Sequence, residues 1–156
     1  RDRQDLFFLL VGEGAGRQAL QQRAAELGLT NLAFAPLQPW AILPTLLASA
    51  DVHLVIQKRG VADVVLPSKL TNILAVGGNS VITAEVDTTL GQLCQEYPGI
   101  ATLVAPESLP ALIEGIEKAL QAPRPNLVAQ DYARENLDKE RILLNYEAAL
   151  QDLVSE

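Results

Sequence analysis

The stretch LFFLLVGEGAG, Leu6 to Gly16, joins a run of six apolar residues to three glycines at alternate positions. An apolar run this short and without alternation reads as a strand buried on both faces, ended here by Gly12-Glu13-Gly14. Helical spacing follows, because Leu20, Ala24 and Leu27 recur through GRQALQQRAAELGL and Gly28 is placed to stop the helix. A strand, a glycine turn and a helix in that order open an alternating α/β chain.

The alternation continues outward from this point. Strands are predicted at LAFA (32–35), VHLVIQ (52–57), SVITA (80–84) and ATLVA (101–105), with helical segments at 39–49 and from 67 to about 76. A helix carrying Leu109, Leu112, Ile113, Ile116 and Leu120 on one face comes next, and two more, about 126–136 and 138–154, close the chain. The pattern predicts a Rossmann-like, doubly wound parallel sheet of about five strands with helices on both faces, plus two C-terminal helices. Ligands of such sheets bind at the carboxyl ends of the strands, so the loops after residues 11, 35, 57 and 84 are where chemistry is expected.

Composition narrows the function classes. The 156 residues fit one domain, and 49% hydrophobic content is globular. Twelve basic against nineteen acidic side chains, a net charge of −7, argue against nucleic acid as a partner. One cysteine, Cys94, and one histidine, His53, supply neither a disulfide framework nor a zinc cluster, which fits a reducing, cytoplasmic location. No apolar run approaches the roughly 18 residues of a membrane span, and the N-terminus lacks a signal-peptide pattern. The chain contains no methionine, which suggests a processed protein or a piece of a longer one.

Two stretches are candidate sites. In VGEGAG (11–16), glycines let backbone approach a ligand and turn into a helix whose free N–H groups attract anions. Arg17 stands where a dinucleotide fingerprint would have its last glycine, and Glu13 would repel a phosphate, so a plain strand-to-helix turn is the other reading. The second stretch, LPSKLTNILAVGG (66–78), opens a helix with Pro67-Ser68-Lys69. Pro67 and Ser68 suit an ordinary helix start with Ser68 as cap, but a lysine in the first turn opposes the helix dipole unless an anion sits there. A diphosphate would reverse that sign, taking the helix N–H groups, the Ser68 hydroxyl and the Lys69 ammonium together. Upstream, Asp63 in the loop QKRGVADVV could accept hydrogen bonds from hydroxyls, though a solvated loop acid reads the same way, as do Lys58 and Arg59. His53 reads as a packed strand residue and Cys94 as a small buried hydrophobe. Trp40 either covers a ligand or staples a helix start. No acyl-transfer triad is present.

Taken in order, FFLLVGEGAGRQALQQRAAELGLTNLAFAPLQP, LPTLLASADVHLVIQ, LPSKLTNILAVGGNSVITA and LDKERILLNYEAAL resemble the C-terminal, donor-binding domain of group 1 glycosyltransferases of GT-B fold. The likeness is greatest to the bacterial branch of exopolysaccharide and colanic-acid-type biosynthesis, and it covers nearly the whole chain. It implies a retaining transferase that moves a sugar from UDP or GDP to a saccharide or lipid-linked acceptor, with no cofactor and no metal. It implies too that residues 1–156 form a fragment, with an N-terminal acceptor domain and a first strand and helix lying outside it. In the full enzyme it implies work in the cytoplasm at the inner face of the membrane.

By the same resemblance, Gly12 and Gly14 fall on the loop beside the donor, and Leu37 and Gln38 on the segment near the base. Ser68, Lys69 and Leu70 fall on the diphosphate-binding helix start. Asn72 stands where many members place a ribose-binding Glu, and Val64 replaces the acid eight positions earlier, leaving Asp63 as nearest substitute. The apolar stripe of the last helix, with the N-terminal domain absent, implies a weak homodimer or a loosely held terminus. Two rival readings keep the fold: a sugar-nucleotide epimerase, which needs acid–base groups in its cleft, and a non-catalytic nucleotide-binding module of flavodoxin-like type.

Overall fold

The computed structural model describes residues 3–60 and 66–155, and the chain divides into two compact units, Arg1–Leu43 and Pro44–Glu156. In the first unit, β1 (Phe8–Val11) and β2 (Leu32–Ala35) flank α1 (Arg17–Glu26), and a short 3-10 turn follows at Trp40–Ile42. The strands pair in parallel, from Phe8 opposite Leu32 to Val11 opposite Ala35. Gly28, at φ 60°, ends α1 as expected: its N–H reaches the Ala25 carbonyl at 3.0 Å and the Leu29 N–H reaches Ala24 at 3.0 Å. Only glycine takes that left-handed turn without strain. Asn31 is buried, and its amide bonds the Arg3 and Leu6 carbonyls at 3.1 and 2.9 Å, anchoring the chain before β1.

One expectation for this unit is corrected. By itself it leaves the four side chains of β1 exposed, because two strands and one helix cannot cover both faces of a strand. The apolar run marks a strand, and the cover it calls for is not supplied within the unit.

The second unit contains α2 (Leu43–Ser49), β3 (His53–Ile56), α3 (Ser68–Ala75), β4 (Ser80–Thr83), α4 (Thr89–Glu96), β5 (Thr102–Val104), α5 (Leu109–Leu120), α6 (Leu127–Asn136) and α7 (Lys139–Ser155). Its sheet has the order β3-β4-β5, all parallel. The five expected strands and their parallel sense are therefore present, with their hydrogen bonds grouped in a pair and a triplet.

The core lies around β4, whose four residues are all buried. One face packs on α5, which approaches closely where Gly115 leaves room for Val81, Thr102 and Val104. The alternate side chains Val55 and Ile82 cluster instead with Leu70, Ile73 and Leu74 of α3 and Ala129 and Ala133 of α6. Side-chain caps start four helices: Thr88 accepts from the Gly91 N–H, Ser108 from Ala111, Asn126 from Ala129 and Asp138 from Arg141. Asn79, in which the sequence shows no chemistry, ties the entrance of β4 to the linker after α5 through the Ala122 and Pro123 carbonyls at 3.3 and 3.2 Å.

His53 is buried in β3, with its Nε2 3.0 Å from the Leu47 carbonyl of α2. A carbonyl only accepts, so Nε2 carries the proton and Nδ1 is bare. Burial, above all, holds its pKa below the ordinary value, against the raising effect of that hydrogen bond, and the charges of Lys69 and Arg124 lower it further. A folded-state pKa below the unfolded one makes the unfolded chain the better proton acceptor, so stability falls as pH drops through the unfolded histidine value. It is the chain's one histidine. The urea midpoint is expected to decline between about pH 7 and pH 5.5, where histidine is the side chain that ordinarily titrates, and to decline less in His53→Gln. Equal slopes in both proteins would remove His53 from the effect. Cys94, packed against the core, has its thiol pushed up to about 11 by burial, so it is an unreactive hydrophobe.

Among the described residues, no helix is long and apolar enough to cross a membrane. On α7, Ile142, Leu143, Tyr146, Leu150 and Leu153 are exposed.

Candidate functional site

The second unit's site is built at the start of α3. Proline fixes φ and offers no N–H, and Pro67 takes the N-cap place with φ −58° and ψ 129°. Its carbonyl receives the Leu70 N–H at 2.8 Å and the Thr71 N–H at 3.3 Å. Ser68 is thus not the cap but the first helical residue, and its hydroxyl makes no capping bond. The N–H groups of Ser68 and Lys69 have no acceptor among the described residues. N–H groups at the positive end of a helix attract an anion.

Lys69 adds a cation at the same end. Its ammonium donates to the Leu54 carbonyl at 2.7 Å. The His53 N–H points to β4, bonding Asn79 at 2.8 Å, and successive residues of a strand point their backbone groups to opposite sides, so the Leu54 carbonyl lies on the side of β3 away from β4. The side chain is exposed, yet its ammonium is sheltered enough that burial lowers its pKa. No carboxylate pairs with it among the described residues. A lysine resting on a neutral carbonyl, beside two N–H groups without an acceptor, makes a local positive potential that no described residue neutralises.

The other residues expected at this helix start divide. Leu70 has no exposed surface and its N–H is spent on Pro67, so what it contributes is the anchoring of the turn. Asn72 turns toward α6 and lines a groove of ≈ 420 Å³ with Thr71, Gln130, Arg134 and Lys139. Asp63 and Val64 lie outside the described residues. At the carboxyl edge of the sheet Arg59 pairs with Glu85, and the Thr83 hydroxyl clamps the exit of β3. That hydroxyl accepts from the Gln57 N–H at 2.7 Å and donates to the Gln57 carbonyl at 2.9 Å. Nothing in a buried strand threonine signals this role beforehand.

In the first unit, the glycine loop and the segment after β2 stand at the carboxyl ends of their strands. Gly12 has φ 125°, a conformation side chains rarely adopt, and its N–H bonds the Ala35 carbonyl at 3.1 Å. At Gly14 a side chain would meet nothing within 4 Å, so that glycine keeps the loop surface bare. Leu37 is exposed, and the Gln38 amide folds back on the Pro36 carbonyl at 2.9 Å. Arg17, which in the sequence only spoils a fingerprint, lies between the two segments: its Nη1 donates to the carbonyls of Gly12 and, at 2.8 Å, of Ala35.

Among the described residues of this helix start and its sheet, acid–base chemistry of the epimerase type finds little. The one histidine is sealed in β3, and the described residues hold no cluster of three metal-ligating side chains. Anion binding is what the helix start offers.

Comparison with known proteins gives the family. Residues 1–136 match the family described as glycosyl transferases group 1. The chain is 57% identical over 141 residues to the putative colanic acid biosynthesis glycosyl transferase WcaI of Escherichia coli (strain K12). That match covers 90% of this chain and 35% of the relative, so the chain spans about a third of its length. The fold is similar to that of WaaG, a glycosyltransferase involved in lipopolysaccharide biosynthesis, with a TM-score of 0.60 and 22% identity over 82% of this chain and 34% of the other. The chain belongs to the group 1 glycosyl transferases.

Proposed function

We propose that this chain is the donor-binding region of a retaining glycosyltransferase that moves a sugar from UDP or GDP to a saccharide or lipid-linked acceptor in polysaccharide biosynthesis. The observation that carries the reading is Lys69, a first-turn lysine that has no carboxylate partner among the described residues and stands beside the Ser68 and Lys69 N–H groups, which have no acceptor among them. These groups take the donor's diphosphate, and the Ser68 hydroxyl adds a donor. When the glycosidic bond of the donor breaks, negative charge collects on the departing nucleotide, and preorganised N–H dipoles and an ammonium stabilise that charge without metal. In the first unit Gly12, Gly14, Leu37 and Gln38 serve the nucleoside, while Asp63 and Asn72 serve hydroxyls of the sugar and ribose. The residues that meet the acceptor belong to the remainder of the enzyme, consistent with a relative about three times as long.

Calorimetric titration with UDP and GDP tests the reading. Lys69→Ala is expected to weaken nucleoside diphosphate binding by about 1.5–3 kcal/mol, the scale of a charge-assisted hydrogen bond. Thermal stability should hardly change, since Lys69 meets only one edge carbonyl. Equal affinities in parent and variant would return Pro67-Ser68-Lys69 to the status of an ordinary helix start.

A further inference from the structure

The Arg17 guanidinium is half-buried in the first unit. It lies 5.9 Å from the Phe34 ring centroid, and one of its nitrogens, Nη1, serves two carbonyls, those of Gly12 and Ala35. Gly12 is the first residue after β1 and Ala35 the last of β2. One planar cation therefore closes the carboxyl ends of two parallel strands, where a doubly wound sheet receives its ligand. The Ala35 carbonyl also receives the Gly12 N–H at 3.1 Å, so both segments converge on a single acceptor. No carboxylate pairs with Arg17 among the described residues. An arginine used only to balance charge would seek an acid; here its rigid fork is spent on backbone geometry.

We infer that Arg17 is a positioning residue for nucleoside recognition, holding the loop of Gly12 to Gly16 and the segment Pro36-Leu37-Gln38 in a single arrangement. The inference rests on the donor-binding reading above and adds to it which group shapes the base side of the site. Without the guanidinium, the Gly12 and Ala35 carbonyls lose a charged donor, and the segment from Pro36 to Gln38 is held at its root only by the Gly12 N–H and the strand pairing. A ligand that touches this segment then has to order it. A ligand that consists of diphosphate alone does not.

The experiment is calorimetric titration of the parent chain, Arg17→Gln and Arg17→Lys with UDP, GDP and inorganic pyrophosphate. Arg17→Gln should weaken UDP or GDP roughly tenfold or more, as expected for lost charge-assisted hydrogen bonds, with pyrophosphate affinity unchanged. Arg17→Lys should recover part of the loss, because an ammonium can still reach one of the carbonyls. Unchanged nucleotide affinity in Arg17→Gln, or an equal loss for pyrophosphate, would overturn the inference while leaving the donor-binding reading in place. A parent chain that binds neither nucleotide would overturn both. Should Arg17→Gln fail to fold, NMR of the parent decides: UDP or GDP should shift the Gly12 and Leu37 amide signals and pyrophosphate should not, and nucleotide binding that leaves them unmoved removes the proposed role.

Discussion

Leu70→Ala is expected to lower the free energy of unfolding by about 2–5 kcal/mol, the range for deleting a buried leucine side chain down to its β-carbon. Leu70 has no exposed surface and belongs to the cluster that includes Ile73, Leu74, Ile82 and Ala133. The loss joins the transfer energy of the missing carbons to a cavity between α3, the sheet and α6, all held by other buried contacts and little able to collapse. The neighbour in sequence provides the control: Lys69→Ala removes a charge from the same turn and should leave the urea midpoint nearly where it was. The pair separates two roles packed into Pro67-Ser68-Lys69-Leu70, since one residue anchors the helix start and the other equips it. A measured loss below about 1 kcal/mol for Leu70→Ala would show that the turn is held by something other than its burial, and the rigidity assumed for the anion site would go with it.

How much of this was legible in the sequence depends on the range over which each feature is determined. Helix α1 and its stop at Gly28, strand β2, and the helix start at Pro67 were readable because each is set within a few residues, by apolar spacing or by the fixed torsions of proline and glycine. The alternative reading, with Ser68 as the cap, fails within that same local range. Proline can fill the N-cap place itself, with its carbonyl taking the Leu70 and Thr71 N–H groups, and sequence order alone did not distinguish the two registers. The grouping of strands into a pair and a triplet was not readable. Apolar runs mark strands, but which edges share hydrogen bonds depends on residues far apart, such as His53 and Ser80.

The same limit applies to the site. A cation in a first turn can be noticed from composition and spacing, so Lys69 stands out as a candidate. Its resting place on Leu54 depends on β3 standing at the end of its three-stranded sheet, which no local pattern states. Arg17 and Thr83 were missed for a related reason: each acts on backbone carbonyls or N–H groups across a strand gap, and backbone partners leave no mark in a sequence. Asn79 is the clearest case, since it ties β4 to the segment before α6 through backbone carbonyls alone.

Gly91 supplies a prediction on which two physical arguments disagree in sign. It lies in the first turn of α4, and helix propensity alone would have Gly91→Ala stabilise the protein by about 1 kcal/mol. The packing says otherwise. A β-carbon there would lie 2.3 Å from the Glu85 carbonyl oxygen, 2.5 Å from that of Val86 and 2.6 Å from the Val86 carbonyl carbon. All three are backbone atoms, and the strand end beside them is fixed, with the Ala84 N–H on Val104 at 3.2 Å. The helix is no freer to retreat, because Leu90 and Leu93 are buried and the Gly91 N–H is held by the Thr88 hydroxyl at 3.1 Å. Gly115 is a useful contrast: its nearest obstacle, at 2.5 Å, is the Val104 Cγ1 methyl, a side-chain atom with more freedom to shift. The expected order of damage is therefore Gly91→Val, then Gly91→Ala, then Gly115→Ala. Gly91→Ala should cost about 1–3 kcal/mol, and Gly91→Val about 3 kcal/mol or more, as overpacking against backbone adds to the strain of a β-branched side chain. Urea unfolding of the three variants decides it. A Gly91→Ala protein more stable than its parent would mean that the loop from Glu85 to Val86 yields readily, and that α4 is placed by its buried leucines rather than by close contact with the end of β4.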